Sequence, residues 1–215
     1  MNNKLRQYIR LLIEAAVSVQ SAAASGLALY TMSDGQFNVY VLYDPQLVND
    51  VGSLAKKLKT NPVKGYIAAL VHKGECNNSL EIRRSAAEHG LGPLMYDIAM
   101  ADGPIIPDRM KTSSAATNVW NHYATKRSDV VVQPLDDENN PKTPPLVDDC
   151  ALVKKDSQGV LNYSYFGGQP VIRDSLINNH ELFVSTLEER DIQRSVVEKL
   201  LMQAARDFFQ KKFKG

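Results

Sequence analysis

The sequence predicts an α/β (α+β) protein with a mixed, mostly antiparallel central sheet that is flanked by helices. Three observations support this fold class. Two β-rich runs at residues 27–30 and 37–43 enclose the turn Ser33-Asp34-Gly35, which indicates a hairpin. Two further β-rich runs, at residues 65–72 and 80–86, precede a glycine turn that leads directly into a helix at residues 93–100. Apolar residues recur at helical spacing near both ends of the chain.

The remaining elements follow from local signals between these landmarks. After the hairpin, apolar spacing predicts a helix over residues 46–58. A short strand at Ile105-Ile106 comes next, and Thr112-Ser113-Ser114 is a typical start for the helix predicted over residues 115–126. Strands are then predicted at residues 130–132 and 161–166.

The chain divides into three segments. Residues 1–26 are predicted to form an amphipathic N-terminal helix, which packs either on its own domain or on a partner. Residues 27–170 form the α/β domain, including a proline- and aspartate-rich loop at residues 133–150. Residues 171–215 form a C-terminal helical segment.

The composition is that of a folded globular protein. The 215 residues are 44% hydrophobic and 23% charged, which is enough to bury a sizeable core. The 25 basic residues are balanced by 24 acidic ones, so no long-range charge favours nucleic acid or a membrane surface as a partner. The N-terminal apolar residues are interrupted by charges, and no apolar run is long enough to span a bilayer. We therefore expect a cytoplasmic protein.

The cysteine and histidine pattern argues against metal chemistry. Cys76 and Cys150 are too few for a disulfide scaffold in a chain of this size, and the four histidines are scattered. No spacing typical of a zinc site is present, so we expect no metal. One alternative is a hydrolase with a cysteine nucleophile, although no histidine accompanies either cysteine in the sequence.

The glycine turn Gly90-Leu91-Gly92-Pro93 is the clearest candidate binding feature. The first N–H groups of a helix point out of its end and carry partial positive charge, so a phosphate can bind there. Glycines allow the ligand to approach the backbone. The alternative is that the glycines only allow tight packing of the helix.

This turn, in this order of elements, resembles the GNAT family of acyl-CoA-dependent N-acyltransferases. In that family the fourth strand runs into a (Gln/Arg)-x-x-Gly-x-(Gly/Ala) turn that binds the pyrophosphate of CoA. Gly90 and Gly92 match the glycine positions, and Ala87 stands at the Gln/Arg position. The resemblance implies acetyl-CoA as acyl donor and an unidentified amine as acceptor. The CoA-binding set that it implies is Ala86, Gly90, Leu91, Gly92, Leu94 and Met95.

The resemblance also implies catalytic residues. The family's Ala-x-x-Leu-Tyr motif places a tyrosine near the CoA sulfur as general acid, and here Ala116 begins a segment that puts Trp120 at the tyrosine position. Tyr123 lies one helical turn further and is our candidate acid, because a phenol can protonate a departing thiolate. Glu81, on the strand before the turn, is the candidate base. The alternatives are that the two aromatic residues belong to the core and that Glu81 faces solvent.

A second resemblance concerns the N-terminus. Residues 4–16 are similar to the leader segments of proteins packaged inside tailed-bacteriophage heads, and Leu12-Ile13-Glu14 followed by Ala15 has the form of their (Leu/Ile)-x-Glu processing sites. This resemblance implies an alternative function. The protein would be a non-enzymatic, GNAT-like virion or assembly protein that contacts protein partners through its N-terminal helix. It would then be found in the host cytoplasm or in the virion.

Overall fold

The computed structural model describes residues 19–48, 61–135, 150, 153, 159–167 and 170–213. These residues form a seven-stranded mixed sheet with helices on both faces, which confirms the predicted fold class. Three predicted features lie wholly or largely outside the described residues: the first eighteen residues with their leader-like motif, the greater part of the helix predicted over residues 46–58, and the loop at 136–149.

The elements alternate along the chain as the sequence predicts. In chain order they are α1 (Val19–Ala24), β1 (Ala28–Ser33), β2 (Phe37–Tyr43), a 3-10 turn (Pro45–Val48), β3 (Val63–Val71), a second 3-10 turn (Cys76–Asn78), β4 (Leu80–Ala87), α2 (Gly92–Met100), β5 (Ile105–Pro107), α3 (Ser114–Lys126), β6 (Val131–Pro134), β7 (Tyr163–Phe166), α4 (Pro170–Glu188) and α5 (Arg194–Phe213). The C-terminal helical segment therefore contains two helices.

The sheet has the strand order β1-β2-β3-β4-β5-β7-β6. Strands β1 to β4 form an antiparallel meander, and β6 and β7 form an antiparallel pair at the other end. Between them, β4 and β5 run parallel, and their pairing covers only Leu80–Ile82 opposite Ile105–Pro107. Strand β4 continues to Ala87, so its second half has no strand partner on the β5 side within the described part of the chain.

Each face of the sheet carries its own hydrophobic cluster. On one face α2 and α3 pack on the sheet, with Tyr96 and Trp120 among the buried residues. On the other face α4 and α5 cover the hairpin and β3, through residues such as Val184 and Leu201. Alternate residues of β2 contribute to the two clusters, as the two-residue period of a strand requires.

A β-bulge at Arg83 reverses the alternation of β4, so that residues after it point to the opposite face of the sheet from the one that the strand period predicts. The pairing with β3 passes from Ile82 directly to Arg84, which leaves Arg83 as the extra residue. Before the bulge, Ile82 belongs to the α2/α3 cluster, whereas after it Ser85 contacts α2 and Arg84 contacts α5. The bulge therefore decides which side chains line each side of the unpaired half of β4.

A disulfide joins Cys76 and Cys150, although the sequence alone did not indicate a pairing. The bridge is buried with Ile106 and Leu135, and it holds the second 3-10 turn, whose three residues all have positive φ. Because neither sulfur is a free thiol, the cysteine-nucleophile alternative is wrong for this structure. Disulfides persist mainly in oxidising environments, so this bond weighs against the cytoplasmic location, which stays a prediction.

We expect the disulfide to contribute strongly to stability. It links residues 74 positions apart, and closing a loop of that length in the unfolded chain stabilises the fold by about 4 kcal/mol. Urea denaturation with and without dithiothreitol measures the difference. The double variant Cys76→Ser/Cys150→Ser should have the stability of the reduced wild type, and dithiothreitol should not change it. Equal stability of oxidised and reduced wild type would contradict the assignment.

His180 of α4 gives a second prediction, for pH dependence. Its Nδ1 lies 2.8 Å from the Tyr43 hydroxyl, and burial lowers the pKa of the imidazole below its ordinary value of 6.5. The unfolded chain therefore takes up this proton at a higher pH than the folded one, so the stabilisation is complete above pH 6.5 and is lost as the pH falls. Between pH 7.5 and 5 we expect the free energy of unfolding of the wild type to fall relative to that of His180→Gln, in which this proton uptake is absent. An unchanged slope in that variant would exclude His180 as the cause.

Candidate functional site

A pocket opens where β4 and β5 separate. Its volume is about 120 Å³, well below the roughly 300–1,000 Å³ of pockets that hold a whole small-molecule ligand, so it suits a small group or a chain segment rather than a whole cofactor. Residues from both faces of the sheet line it: Ile82, Arg83, Arg84, Ser85, Tyr96, Asp108, Lys111, Thr112, Ser113, Ala116, Trp120 and Phe209.

The Glu81 carboxylate explains why the strands separate at this point. Its Oε1 accepts a hydrogen bond of 2.6 Å from the backbone N–H of Arg109, two residues after β5 ends at Pro107. The N–H of Arg109 thus donates to a side chain. In a longer β5 it would donate to a backbone carbonyl of the neighbouring strand. Asp108 then accepts the N–H groups of Met110 and Lys111 in a tight turn, which leads the chain away from β4.

Glu81 is buried and fully engaged. Besides the Arg109 N–H, it accepts hydrogen bonds from His72 Nε2 at 2.9 Å, and Arg83 Nη2 lies 3.1 Å from Oε2. Burial raises the pKa of the carboxyl, but these donors outweigh burial and leave the pKa below its ordinary value. His72 also contacts Glu75, and its pKa is raised, chiefly by the hydrogen bond to Glu81. Glu81 is therefore an ionised carboxylate with three donors, not the solvent-facing charge of the alternative. Its role as a base stays a prediction.

Tyr123 lies in the core beside α2, not in the pocket lining. Its hydroxyl donates toward the Pro93 carbonyl at 2.7 Å and the Asp97 carboxylate at 2.8 Å. Burial, followed by the nearby Asp97 charge, raises its pKa well above 10. These contacts tie α3 to the first turns of α2. Its assignment as general acid stays a prediction, and the described contacts give the side chain a structural role.

The pocket contains a different phenol, which the sequence analysis missed. The Tyr96 hydroxyl lies 3.0 Å from Ser85 Oγ, and both residues line the pocket. The Trp120 ring contacts the Tyr96 ring at 4.9 Å in an edge arrangement. Burial raises the pKa of Tyr96 to about 12, so the hydroxyl keeps its proton at neutral pH. The sequence offers one indication of this pair, because Ser85 lies shortly before the glycine turn and Tyr96 shortly after it.

The glycine turn forms the start of α2. Gly90 has φ +82°, a conformation that favours glycine, and Leu91 at the N-cap makes no side-chain cap hydrogen bond. A Cβ built on Gly92 would meet no atom within 4 Å, so packing does not require glycine there. Open space therefore borders the first turn, where the N–H groups of Gly92 and Leu94 have no acceptor four residues back inside the helix.

The other predicted CoA-binding residues have different surroundings. Leu94 and Met95 are buried, so only their backbones can face a ligand at the helix start. The Met95 thioether packs on Gly65, where even a methyl group would collide with it. Ala86 packs against the cluster under α4 and α5, on the other face from α2. The structure thus brings residues 90–95 together and separates the Ala86 side chain from them.

Two further findings concern metals and membranes. Among the described residues, no cluster of three or more histidine, cysteine, aspartate or glutamate side chains is arranged to hold a metal ion. Within the same ranges, no helix combines the length and apolar character needed to cross a bilayer.

We predict that the two carboxylates on His72 differ in their contribution to stability. Glu81→Gln should destabilise the protein by about 3 kcal/mol, because it breaks a buried charged network. Glu75→Gln should cost less than about 1 kcal/mol, since Glu75 is largely exposed. Urea denaturation of the two variants provides a matched comparison. Similar losses in both would show that the Glu81 network does not hold this part of the sheet.

Comparison with known proteins does not assign the chain to a family. No protein-family model, curated protein or solved structure matches it. A functional assignment therefore has to rest on the geometry of the site and on the sequence pattern.

Proposed function

We propose that this protein is a GNAT-like N-acyltransferase that transfers an acetyl group from acetyl-CoA to an amine. The observation that carries the proposal is the separation of two parallel strands beside a glycine-rich helix start that has no side-chain cap. The sequence resemblance implies that the pyrophosphate of CoA binds at this glycine turn, at the end of the fourth strand.

The residues at the start of α2 and in the pocket fit acetyl-CoA as the acyl donor. The N–H groups of Gly92 and Leu94 at the start of α2 suit a pyrophosphate, and the open space at Gly92 gives it room. The narrow pocket along the unpaired half of β4 suits a flexible chain such as the pantetheine arm. Ala87 supplies no polar side chain to the phosphates and Pro93 supplies no N–H, so fewer groups bind them than the family pattern provides.

The chemistry requires two proton movements. The amine nitrogen must lose a proton as it attacks the thioester carbonyl, and the departing thiolate must gain one as the C–S bond breaks. Tyr96 is placed for the second role, because it lines the pocket and its phenol O–H can donate a proton. Ser85 orients that hydroxyl through their 3.0 Å contact. Glu81 accepts the amine proton only if one of its three donors is displaced.

A second candidate is a non-enzymatic GNAT-like virion or assembly protein. The observation that favours it is that both predicted catalytic side chains already have structural partners. Glu81 takes part in a buried network and the Tyr123 hydroxyl is satisfied within the core. Such a protein would retain the sheet and the glycine turn without turnover. Its predicted contacts with protein partners would involve the N-terminal helix.

The variant Gly92→Ala tests the proposed acetyl-CoA site with little disturbance of the fold. The added methyl group meets no protein atom, so the melting temperature should stay within about 2 °C of wild type. It would instead occupy the space beside the phosphate-binding N–H groups. We expect millimolar acetyl-CoA to raise the melting temperature of wild type and to have a much smaller effect on Gly92→Ala.

Ser114→Ala, in the first turn of α3, is the control, and it should retain the full response to acetyl-CoA. Turnover is then assayed as CoA release with a panel of amines. Ligand binding without turnover by any amine would favour the non-enzymatic candidate. The absence of any response in wild type would exclude the CoA site.

A further inference from the structure

Two basic side chains of the pocket lining have no acidic partner among the described residues. Arg84 and Lys111 both line it, and no carboxylate among the described residues lies within 4.0 Å of either cation. The pocket's own carboxylate, Asp108, is already engaged. It accepts two backbone N–H groups of its turn and lies 3.7 Å from Arg83. The pocket therefore has an excess of positive charge.

The bulge and α5 together fix the position of Arg84. Because Arg83 is the extra residue, Arg84 lies on the face that α5 covers, opposite Ser85 and Tyr96. Its guanidinium lies 5.6 Å from the centre of the Phe209 ring, a cation–π contact that restrains an otherwise exposed side chain. The Phe209 ring in turn packs edge-on against Tyr66 of β3 at 5.9 Å. Arg84 is thus an exposed cation at the edge of the pocket, oriented by its contact with the Phe209 ring.

The two sides of the pocket therefore differ in chemistry. The α2 side presents the paired hydroxyls of Ser85 and Tyr96 next to the helix start that suits the donor phosphates. The α5 side presents Arg84, and Lys111 borders the pocket from the turn after β5. A ligand that reaches the pocket from the α5 side meets the Arg84 cation.

We propose that the acceptor is a small amine that carries an anionic group, a carboxylate or a phosphate, which Arg84 and Lys111 bind at the pocket. This inference rests on the proposed acyltransferase function. The small volume of the pocket favours a compact acceptor over a folded protein surface. Arginine suits both anions, because its guanidinium donates two parallel hydrogen bonds to either. The amine of the acceptor would then extend toward the side where the thioester lies.

Calorimetric titration with two matched pairs of amines tests the proposal independently of turnover. Phosphoethanolamine is compared with ethanolamine, and β-alanine with β-alaninamide, each with and without CoA, which has no acetyl group to transfer. We expect at least one anionic member to bind at least tenfold more tightly than its partner, and the pair that discriminates identifies the anion. Arg84→Gln and Lys111→Gln should each remove most of that discrimination. Lys199→Gln, which removes an exposed charge from α5, should retain it.

The outcomes separate this inference from the proposed function. Equal binding of the neutral and anionic amines, or unaltered discrimination in Arg84→Gln and Lys111→Gln, overturns the inference even if acetyl-CoA binds. A large loss of acetyl-CoA affinity in Arg84→Gln also overturns it, because Arg84 would then serve the donor. If the anionic amine binds and acetyl-CoA does not, the anion site stands while the acyltransferase function fails.

Discussion

The hydrogen bond from the Arg109 N–H to the buried Glu81 carboxylate is the interaction on which the candidate site depends. The N–H of Arg109, the second residue beyond β5, donates to a side chain instead of a neighbouring strand, and the parallel ladder stops after three residue pairs. Strand β4 then runs on to Ala87 with one side unpaired. The pocket, the turn at Asp108 and the position of α3 all follow from this early separation.

The same carboxylate also explains why the separation is stable. A buried charge is costly unless it is paired, and Glu81 is paired with His72 and Arg83 as well as with the backbone. The residue that shapes the site is therefore poorly available for proton transfer. This makes Tyr96, rather than either residue that the sequence analysis assigned to catalysis, the group best placed at the pocket for chemistry.

Much of the fold follows from local sequence signals. Alternating apolar residues and the turn at Asp34 predict the hairpin, and the glycine turn predicts the start of α2 within one residue. The site was less accessible to prediction, because it depends on side chains far apart in sequence. A bulge at Arg83 reverses the alternation of β4, and sequence periodicity gives no sign of it. The Cys76–Cys150 pairing likewise depends on a tertiary contact between residues 74 positions apart.

We propose that the unpaired half of β4 and the start of α2 form one site for an acyl-CoA. Hydrogen–deuterium exchange with and without saturating acetyl-CoA is a direct test, because it reports on backbone N–H groups. We expect slower exchange in peptides covering residues 83–95, with no change in the β1–β2 hairpin. Unchanged exchange at residues 83–95, or protection confined to α4 and α5, would contradict it.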